Sequence, residues 1–164
     1  MKLFTTTESP LGDLLLVGDT TTLLSLSMPG TRGATPPRDD WHHAPEAFTE
    51  AVAQLHEYFE GRRTHFDLAY RADGTAFQQR VWAEIDKIPY GTTTTYGALA
   101  DHLDIPRGQV RALGAAIGAN PLLLIRPCHR VIGADGTLRG YAAGIERKVA
   151  LLTHEGALQP MLTP

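Results

Sequence analysis

The chain of 164 residues contains one cysteine, Cys128. A single cysteine excludes an intrachain disulfide and leaves no cluster of thiolates for a structural zinc ion. A free thiol suits a reducing compartment, so we expect a cytoplasmic protein. No apolar run approaches the ~20 residues of a membrane span, and the opening residues Met1-Lys2-Leu3 lack the pattern of a signal peptide. We therefore expect no membrane partner.

Positive charge is also limited, because 15 Lys and Arg residues stand against 18 Asp and Glu, a net charge of −3. This balance at first argues against a nucleic-acid partner, since duplex binding neutralises phosphates with Lys and Arg. The charge is unevenly distributed, however: residues 1–74 carry six basic and eleven acidic side chains, whereas residues 75–164 carry nine and seven. Residues 105–140 contain a single acid, Asp135, and five arginines: Arg107, Arg111, Arg126, Arg130 and Arg139. A DNA-binding face and an ordinary solvated surface explain this pattern equally well.

The first half of the chain predicts a small antiparallel sheet with one helix. Strands are predicted by the apolar or β-branched runs Lys2–Thr7, Leu14–Val17 and Leu23–Met28, which turn residues separate. Residues 29–45 predict a loop, and the adjacent His42 and His43 within it lack a third ligand, so we expect no metal site. A helix over residues 45–60 is predicted by apolar residues three or four apart, namely Phe48, Val52, Leu55 and Phe59. Alternation in Phe66–Tyr70 predicts a further strand, and we interpret residues 1–72 as a supporting domain.

The second half predicts helices. Thr75 can cap a helix whose buried stripe is Phe77, Val81, Trp82 and Ile85. A short helix, Tyr96–Leu103, and a third helix, from Pro106 or Arg107 to Asn120, are joined by a tight turn, which is the pattern of a helix-turn-helix. Val131–Ile132 and Thr137–Leu138 flank the turn sequence Gly133–Gly136 and predict a hairpin that forms a wing. The last helix is predicted from about Gly144 to His154, with Ile145, Val149 and Leu152 inward. The predicted fold class is α+β, with a helical winged helix-turn-helix domain over residues 75–164.

The third helix is unusual because its side chains are small. Gly108, Ala112, Gly114, Ala115, Ala116 and Gly118 all lie within it. Each glycine lowers helix propensity by ~1 kcal/mol, so some compensation is needed. Small residues let a helix approach another surface closely, either a neighbouring helix or a DNA backbone.

The run Pro127–Val131, Pro-Cys-His-Arg-Val, contains the candidate nucleophile. A thiol reacts as the thiolate, and its unperturbed pKa of about 8.5 calls for a nearby base or positive charge. His129 and Arg130 are candidates for both. The preceding apolar run Leu122–Ile125 predicts buried extended chain. Glu155 lies at a helix C-terminus, where a carboxylate is unfavourable, so we expect it to have a cationic or hydrogen-bonding partner. Alternatively, Cys128 is simply a small buried apolar residue.

Seven motifs together resemble the O6-alkylguanine-DNA alkyltransferases. They are Phe77–Trp82, Ile88–Gly91, Thr95–Gly97, Arg111–Gly114, Asn120–Pro121, Pro127–Val131 and Gly140–Tyr141. The resemblance covers the C-terminal half, and the N-terminal half resembles the family only in its general, ribonuclease-H-like plan. It implies direct-reversal DNA repair, in which the protein flips an O6-alkylguanine out of duplex DNA and transfers the alkyl group irreversibly to its own cysteine.

The resemblance also implies roles for individual residues. The implied catalytic residues are Cys128, His129, Glu155, Asn120 and Tyr96. The implied DNA-binding residues are Arg111, Gln109, Ala112, Gly114, Thr95, Arg130 and Arg139. The implied substrate pocket contains Tyr141, Val131, Ala142 and Ile117. Arg111 would fill the space of the extruded nucleotide in the minor groove, Glu155 would orient His129, and His129 would take the proton of Cys128, directly or through a water.

The resemblance implies no cofactor, no metal and no obligate protein partner, and we expect a monomer that binds double-stranded DNA containing O6-alkylguanine. Two residues depart from the family pattern. Arg126 stands immediately before Pro-Cys in place of an aliphatic residue, and Ala142 stands where some members have serine. Other classes of function remain: a cysteine hydrolase would need the same residue types but would turn over. A pure DNA-binding module could use the same helices without chemistry, although family relatives of that kind lack the cysteine.

Overall fold

The computed structural model describes residues 2–138 and 140–158. The chain divides into two compact units. The first comprises the residues up to Asp73 together with the short segment Pro121–Ile125. The second comprises Gly74–Asn120 and the residues from Arg126 onward. No helix within the described ranges is long and apolar enough to cross a membrane.

The first unit contains a four-stranded sheet. The three predicted strands are confirmed as β1 (Leu3–Thr7), β2 (Leu14–Gly18) and β3 (Leu23–Ser27), which pair antiparallel in sequence order. Strand β4 (His42–His43) lies in the segment predicted as loop and pairs parallel with the start of β1. Both histidines of β4 are exposed, and no group of three potential metal ligands occurs in the part of the chain that the structure describes.

The helix predicted over residues 45–60 is present as a 3-10 turn, Pro45–Phe48, followed by helix α1 (Thr49–Phe59). Its buried face is turned by about one residue from the prediction, because Ala51, Leu55 and Tyr58 are buried whereas Val52 and Phe59 are only half-buried. The side chain of Gln54 is also buried. Its Nε2 donates to the carbonyl of Asp67 at 3.1 Å, and its Oε1 accepts from the Asp67 N–H at 2.8 Å.

Two predictions of extended chain are wrong. Phe66–Tyr70 is not a strand, because Gln54 occupies the backbone groups of Asp67 and only Tyr70 forms a bridge, to Leu23 of β3. Leu122–Ile125 is buried as expected but not extended. Leu122 pairs with Leu26 of β3, and the chain then turns at Leu124, whose φ of 71° lies in the left-handed region.

Helix α2 (Ala76–Ile85) opens the second unit and buries Val81, Trp82 and Ile85. The predicted cap is confirmed: Thr75 Oγ1 accepts from the Gln78 N–H at 3.1 Å, and Gln78 Oε1 accepts from the Thr75 N–H at 2.9 Å. This reciprocal pair satisfies backbone donors that have no partner within a helix. The remaining elements are β5 (Thr94–Thr95), α3 (Tyr96–His102), α4 (Val110–Gly118), β6 (Val131–Ile132) and α5 (Ile145–His154), with 3-10 turns at Arg107–Gln109 and Cys128–Arg130.

The predicted wing is wrong in its pairing. Strand β6 pairs parallel with β5, and Thr137–Leu138 forms no strand. The turn itself is present, closed by a hydrogen bond from the Gly133 N–H to the Thr137 carbonyl at 2.8 Å.

The inward face predicted for α5 is also only partly correct. Ile145 is 40% exposed and Val149 is half-buried, whereas the buried residues are Lys148, Leu151 and Leu152.

Candidate active site

Cys128 lies at the start of a one-turn 3-10 helix and is 4% exposed. The turn brings its backbone N–H within 2.8 Å of the Arg126 carbonyl, across Pro127. Asn120, two residues after the end of α4, is equally buried. Its Nδ2 lies 3.3 Å from the Cys128 Sγ and donates to it. An N–H donor at this distance stabilises a thiolate more than a thiol.

The neighbouring His129 is completely buried, and its Nε2 lies 2.8 Å from the Oε2 of Glu155. An ionised carboxylate can only accept, so Nε2 must carry the proton. In the neutral ring the lone pair is then on Nδ1. That atom is buried and has no hydrogen-bond partner among the described residues. The residue next to the cysteine in sequence therefore carries a nitrogen that can accept a proton.

Burial lowers the pKa of His129 below the usual 6.5, and the contact with Glu155 opposes this shift. The neutral, proton-accepting ring is therefore favoured at neutral pH. Burial also raises the pKa of the Cys128 thiol, while the Asn120 N–H and the positive charges of Lys148 and Arg126 lower it. The resting sulfur is thus a thiol with a proton to lose and a base next in sequence.

Glu155 has the partners that its position at the end of α5 led us to expect. Besides His129 it binds Arg130 through two oxygens, with Nε to Oε1 at 2.7 Å and Nη2 to Oε2 at 3.0 Å. Such a fork-shaped contact fixes the plane of the carboxylate. Arg130 is held further by a 2.7 Å bond from Nη1 to the carbonyl of Ile88 and by the ring of Tyr90, 5.7 Å away.

These contacts correct the expectation that Arg130 binds DNA. Its side chain is only 9% exposed, and its guanidinium faces Glu155 inside the protein. A buried cation needs a counter-ion, and Glu155 is that ion. The sequence pattern of clustered arginines did not distinguish this internal arginine from surface ones.

Lys148 is a buried site residue that the sequence analysis missed. Its Nζ donates to the carbonyl of Val131 at 2.6 Å and to that of Gly140 at 3.3 Å. Burial lowers the pKa of Lys148, and the negative charge that Cys128 carries as a thiolate opposes that shift. The sequence does contain one indication of its position. Lys148 lies seven residues before Glu155, the C-cap of α5, so the two residues are on the same side of the helix.

The proposed DNA-binding residues on and before α4 lie at the surface. Gln109, Arg111 and Ala112 are exposed and Gly114 is half-buried, whereas Leu113, Ala116 and Ile117 form the buried face. Beyond its own turn or helix, a Cβ added to Gly108 or Gly114 would meet no atom of the described residues within 4 Å. Close packing against a neighbouring helix therefore does not account for these two glycines.

The structure also describes the positions of most of the other residues for which the resemblance implied a role. Thr95 is the N-cap of α3, where its Oγ1 accepts from the Ala98 N–H at 3.0 Å, and Tyr96 begins that helix and is half-buried. Tyr141 is buried 6.5 Å from the ring of His129, and its hydroxyl has no hydrogen-bond partner among the residues described. Val131 and Ile117 are buried and Ala142 is half-buried, while Arg139 lies outside the described residues.

A buried cysteine beside an amide donor and a histidine–carboxylate pair defines a protein that uses a thiol nucleophile. Comparison with known proteins narrows this class. Family models described as 6-O-methylguanine DNA methyltransferase match twice, the ribonuclease-like domain over residues 2–71 and the DNA binding domain over residues 76–157. The chain belongs to the 6-O-methylguanine DNA methyltransferase family.

Individual relatives agree with this assignment. Over 157 residues the chain is 47% identical to the methylated-DNA–protein-cysteine methyltransferase of Mycobacterium bovis, covering 96% of this chain and 94% of the relative. The corresponding protein of Methanosarcina acetivorans is 44% identical over 151 residues, covering 92% and 96%. Among solved structures, Mycobacterium tuberculosis OGT in complex with DNA matches with a TM-score of 0.87 at 46% identity, covering 94% of this chain and 93% of that one.

Proposed function

We propose that the protein repairs DNA by transferring an alkyl group from O6 of guanine to Cys128. The observation that carries this proposal is the arrangement at the sulfur. The Asn120 amide donates to Cys128 Sγ, and the next residue, His129, has a lone pair on buried Nδ1 because Glu155 binds Nε2. The family assignment supplies the substrate for that nucleophile.

In the proposed reaction, the Cys128 thiol gives its proton to His129 Nδ1, directly or through a water. The thiolate attacks the alkyl carbon, and the bond between that carbon and O6 breaks. The electron pair leaves with the guanine, which takes up a proton. Tyr96, at the start of α3, is proposed to hydrogen-bond to the departing base. Glu155 and Arg130 act through His129 as positioning residues.

The product is a thioether on Cys128, and water does not cleave a thioether readily. Each molecule therefore acts once, and the alkylated protein is not regenerated. No metal or cofactor enters these steps. The nucleophile needs a reduced thiol, which supports the expected cytoplasmic location.

DNA is proposed to bind along the exposed face of α4, from the minor groove. Arg111 would fill the space of the extruded nucleotide, with Gln109, Ala112 and Gly114 against the backbone and Thr95 nearby at the start of α3. The open surroundings of Gly108 and Gly114 support this assignment. A larger side chain at either position would meet no other part of the described chain, so packing inside the protein does not require glycine there, whereas close approach of a DNA backbone would. Arg130, whose guanidinium is internal, is not part of this surface.

A target base must leave the duplex to reach a buried sulfur. We assign the receiving pocket to Tyr141, Val131, Ala142 and Ile117, with the ring of Tyr141 stacked on the guanine. The Tyr141 hydroxyl, which is buried without a hydrogen-bond partner in the described ranges, is proposed to contact the flipped base. A monomer contains every residue of this scheme, so no second copy is required.

The proposal is tested by incubating the protein with a duplex containing one O6-methylguanine and mapping the product by peptide mass spectrometry. We expect one methyl group on the peptide containing Cys128, and none in Cys128→Ser. Binding without any mass change would assign the chain to lesion recognition instead. Release of the methyl group with repeated turnover would mean that the protein is a hydrolase and that the thioether step is wrong.

A further inference from the structure

Arg126, one of the two residues that depart from the pattern of the resembling family, is buried next to Pro127 and Cys128 in the chain. Its side chain is 6% exposed, and Nε donates to Oδ1 of Asp86 at 3.2 Å. The guanidinium carbon also lies 5.0 Å from the centre of the Trp82 ring. Trp82 and Asp86 are four residues apart, so they present one face of α2 and its C-terminal end to this arginine.

Each of these partners is itself fixed. Trp82 is 2% exposed, and its Nε1 donates to the carbonyl of Ala116 in α4 at 2.9 Å. Asp86 is the residue at the C-terminal cap of α2, where a carboxylate opposes the helix dipole and gains from a cation. Arg126 is therefore held by an ion pair on one side and an aromatic face on the other.

The same guanidinium meets the amide that contacts the sulfur. Arg126 Nη1 lies 3.5 Å from Oδ1 of Asn120, a long contact with the oxygen end of the amide. The nitrogen end of that amide donates to Cys128 Sγ and to the Arg126 carbonyl, both at 3.3 Å. Rotating the amide by half a turn would place its NH2 against a cation and its oxygen against the sulfur, so the arginine favours the observed orientation.

We propose that Arg126, anchored by Asp86 and Trp82, is a positioning residue that holds the Asn120 amide with its N–H toward the nucleophilic sulfur. Arg126 touches neither the sulfur nor the substrate in this role. It acts through Asn120, and its charge also favours the thiolate directly. The inference deepens the proposed function and rests on it for the effect on methyl transfer, but its effect on the thiol is independent of DNA.

The test uses Arg126→Met, which keeps an unbranched apolar stem and removes the guanidinium with its charge and donors. With one cysteine in the chain, thiolate absorbance measured against pH, with Cys128→Ser as the blank, reports Cys128 alone. The other titratable groups whose charges interact with this sulfur are Lys148 and Tyr141. His129, paired with Glu155, is the next residue in sequence, and all four are unchanged in the variant. We expect a higher thiol pKa and single-turnover methyl transfer slowed by about tenfold, the value of one hydrogen bond to a charged group.

Coupling to Asn120 distinguishes positioning from a general electrostatic effect. In an Asn120→Ala background, Arg126→Met should produce a much smaller further loss, because the amide that it orients is gone. Arg126→Lys, which keeps the charge but lacks the planar fork, should fall between wild type and Arg126→Met. Arg71→Met is the matched control, since it removes a 64% exposed arginine paired with Asp19 at 3.8 Å, and it should match wild type.

An unchanged thiol pKa and rate in Arg126→Met would overturn the inference, and so would fully additive effects of Arg126→Met and Asn120→Ala. If Arg126→Met does not fold, as judged by circular dichroism, the same measurements on Asp86→Asn and Arg126→Lys test the inference. Both substitutions perturb the contact between residues 126 and 86 and keep a cation at position 126. A shifted thiol pKa in a protein whose wild type transfers no methyl group would contradict the proposed function and leave the positioning role in place.

Discussion

Glu155→Gln separates the two tasks of the buried carboxylate, which are to neutralise Arg130 and to set the tautomer of His129. The substitution keeps the shape of the side chain and removes its charge. In the variant, the guanidinium of Arg130 remains inside the protein with its side chain 9% exposed and without its anion. Removing one partner of a buried ion pair costs roughly 3–5 kcal/mol of unfolding free energy.

The rate should fall for a different reason. A glutamine amide can donate to His129 Nε2, which moves the ring proton to Nδ1 and leaves no lone pair to accept the thiol proton. General-base catalysis contributes typically 10²–10⁴-fold, so we expect single-turnover methyl transfer to slow within that range. The double variant Glu155→Gln/Arg130→Met should recover much of the stability, since both members of the pair are then neutral, but not the rate.

Denaturant unfolding and rapid-quench methyl transfer measure the two effects separately. Glu84→Gln is the control, because Glu84 pairs with the exposed Lys87 and His102 at the surface, and such pairs are worth about 1 kcal/mol or less. Wild-type stability in Glu155→Gln would refute the argument that Arg130 depends on this carboxylate. A wild-type rate in the double variant would refute the role assigned to the His129–Glu155 contact.

Three further predictions concern pH, the DNA surface and a distant cap. The rate of methyl transfer should fall as the pH falls through the pKa of His129, because protonation removes the base. Burial holds this pKa below 6.5, so a pH–rate profile whose acid limb lies above 6.5 would contradict the prediction. Arg111→Ala should weaken binding to a lesion-containing duplex by roughly tenfold or more and leave the thiolate absorbance of Cys128 unchanged. A shift in that absorbance would show that Arg111 acts inside the site. Thr75→Ala should lower the free energy of unfolding by about 1 kcal/mol through loss of the reciprocal cap on α2 without slowing methyl transfer, as thermal unfolding and the single-turnover assay would show.

Local patterns in the sequence predicted the regular elements. The three first strands and α2 with its Thr75 cap follow from alternation, periodicity and one capping pair, all of which act within a few residues. Where contacts between residues distant in sequence determine the local structure, these patterns predicted the wrong element. Phe66–Tyr70 has the alternation of a strand, but the Gln54 amide takes the backbone groups of Asp67.

Charged residues in the site show the same division. The position of Glu155 at a helix end indicated that it needs a partner, and both His129 and Arg130 meet it. The burial of Lys148 and Arg126 could not be predicted from residue type, because long cationic side chains are mostly exposed. Their burial depends on carbonyls of Val131 and Gly140 in one case and on Asp86 in the other, which only the folded chain brings near.

Stoichiometry distinguishes a cysteine that accepts one alkyl group and is then consumed from one that turns over. The most direct measurement adds increasing amounts of a duplex containing O6-methylguanine to a fixed amount of protein and counts the repaired guanines at completion. We expect a plateau at one repaired guanine per protein molecule, at which the thiol of Cys128 is no longer titratable. Repair that continues in proportion to the added duplex, with the thiol intact, would contradict it.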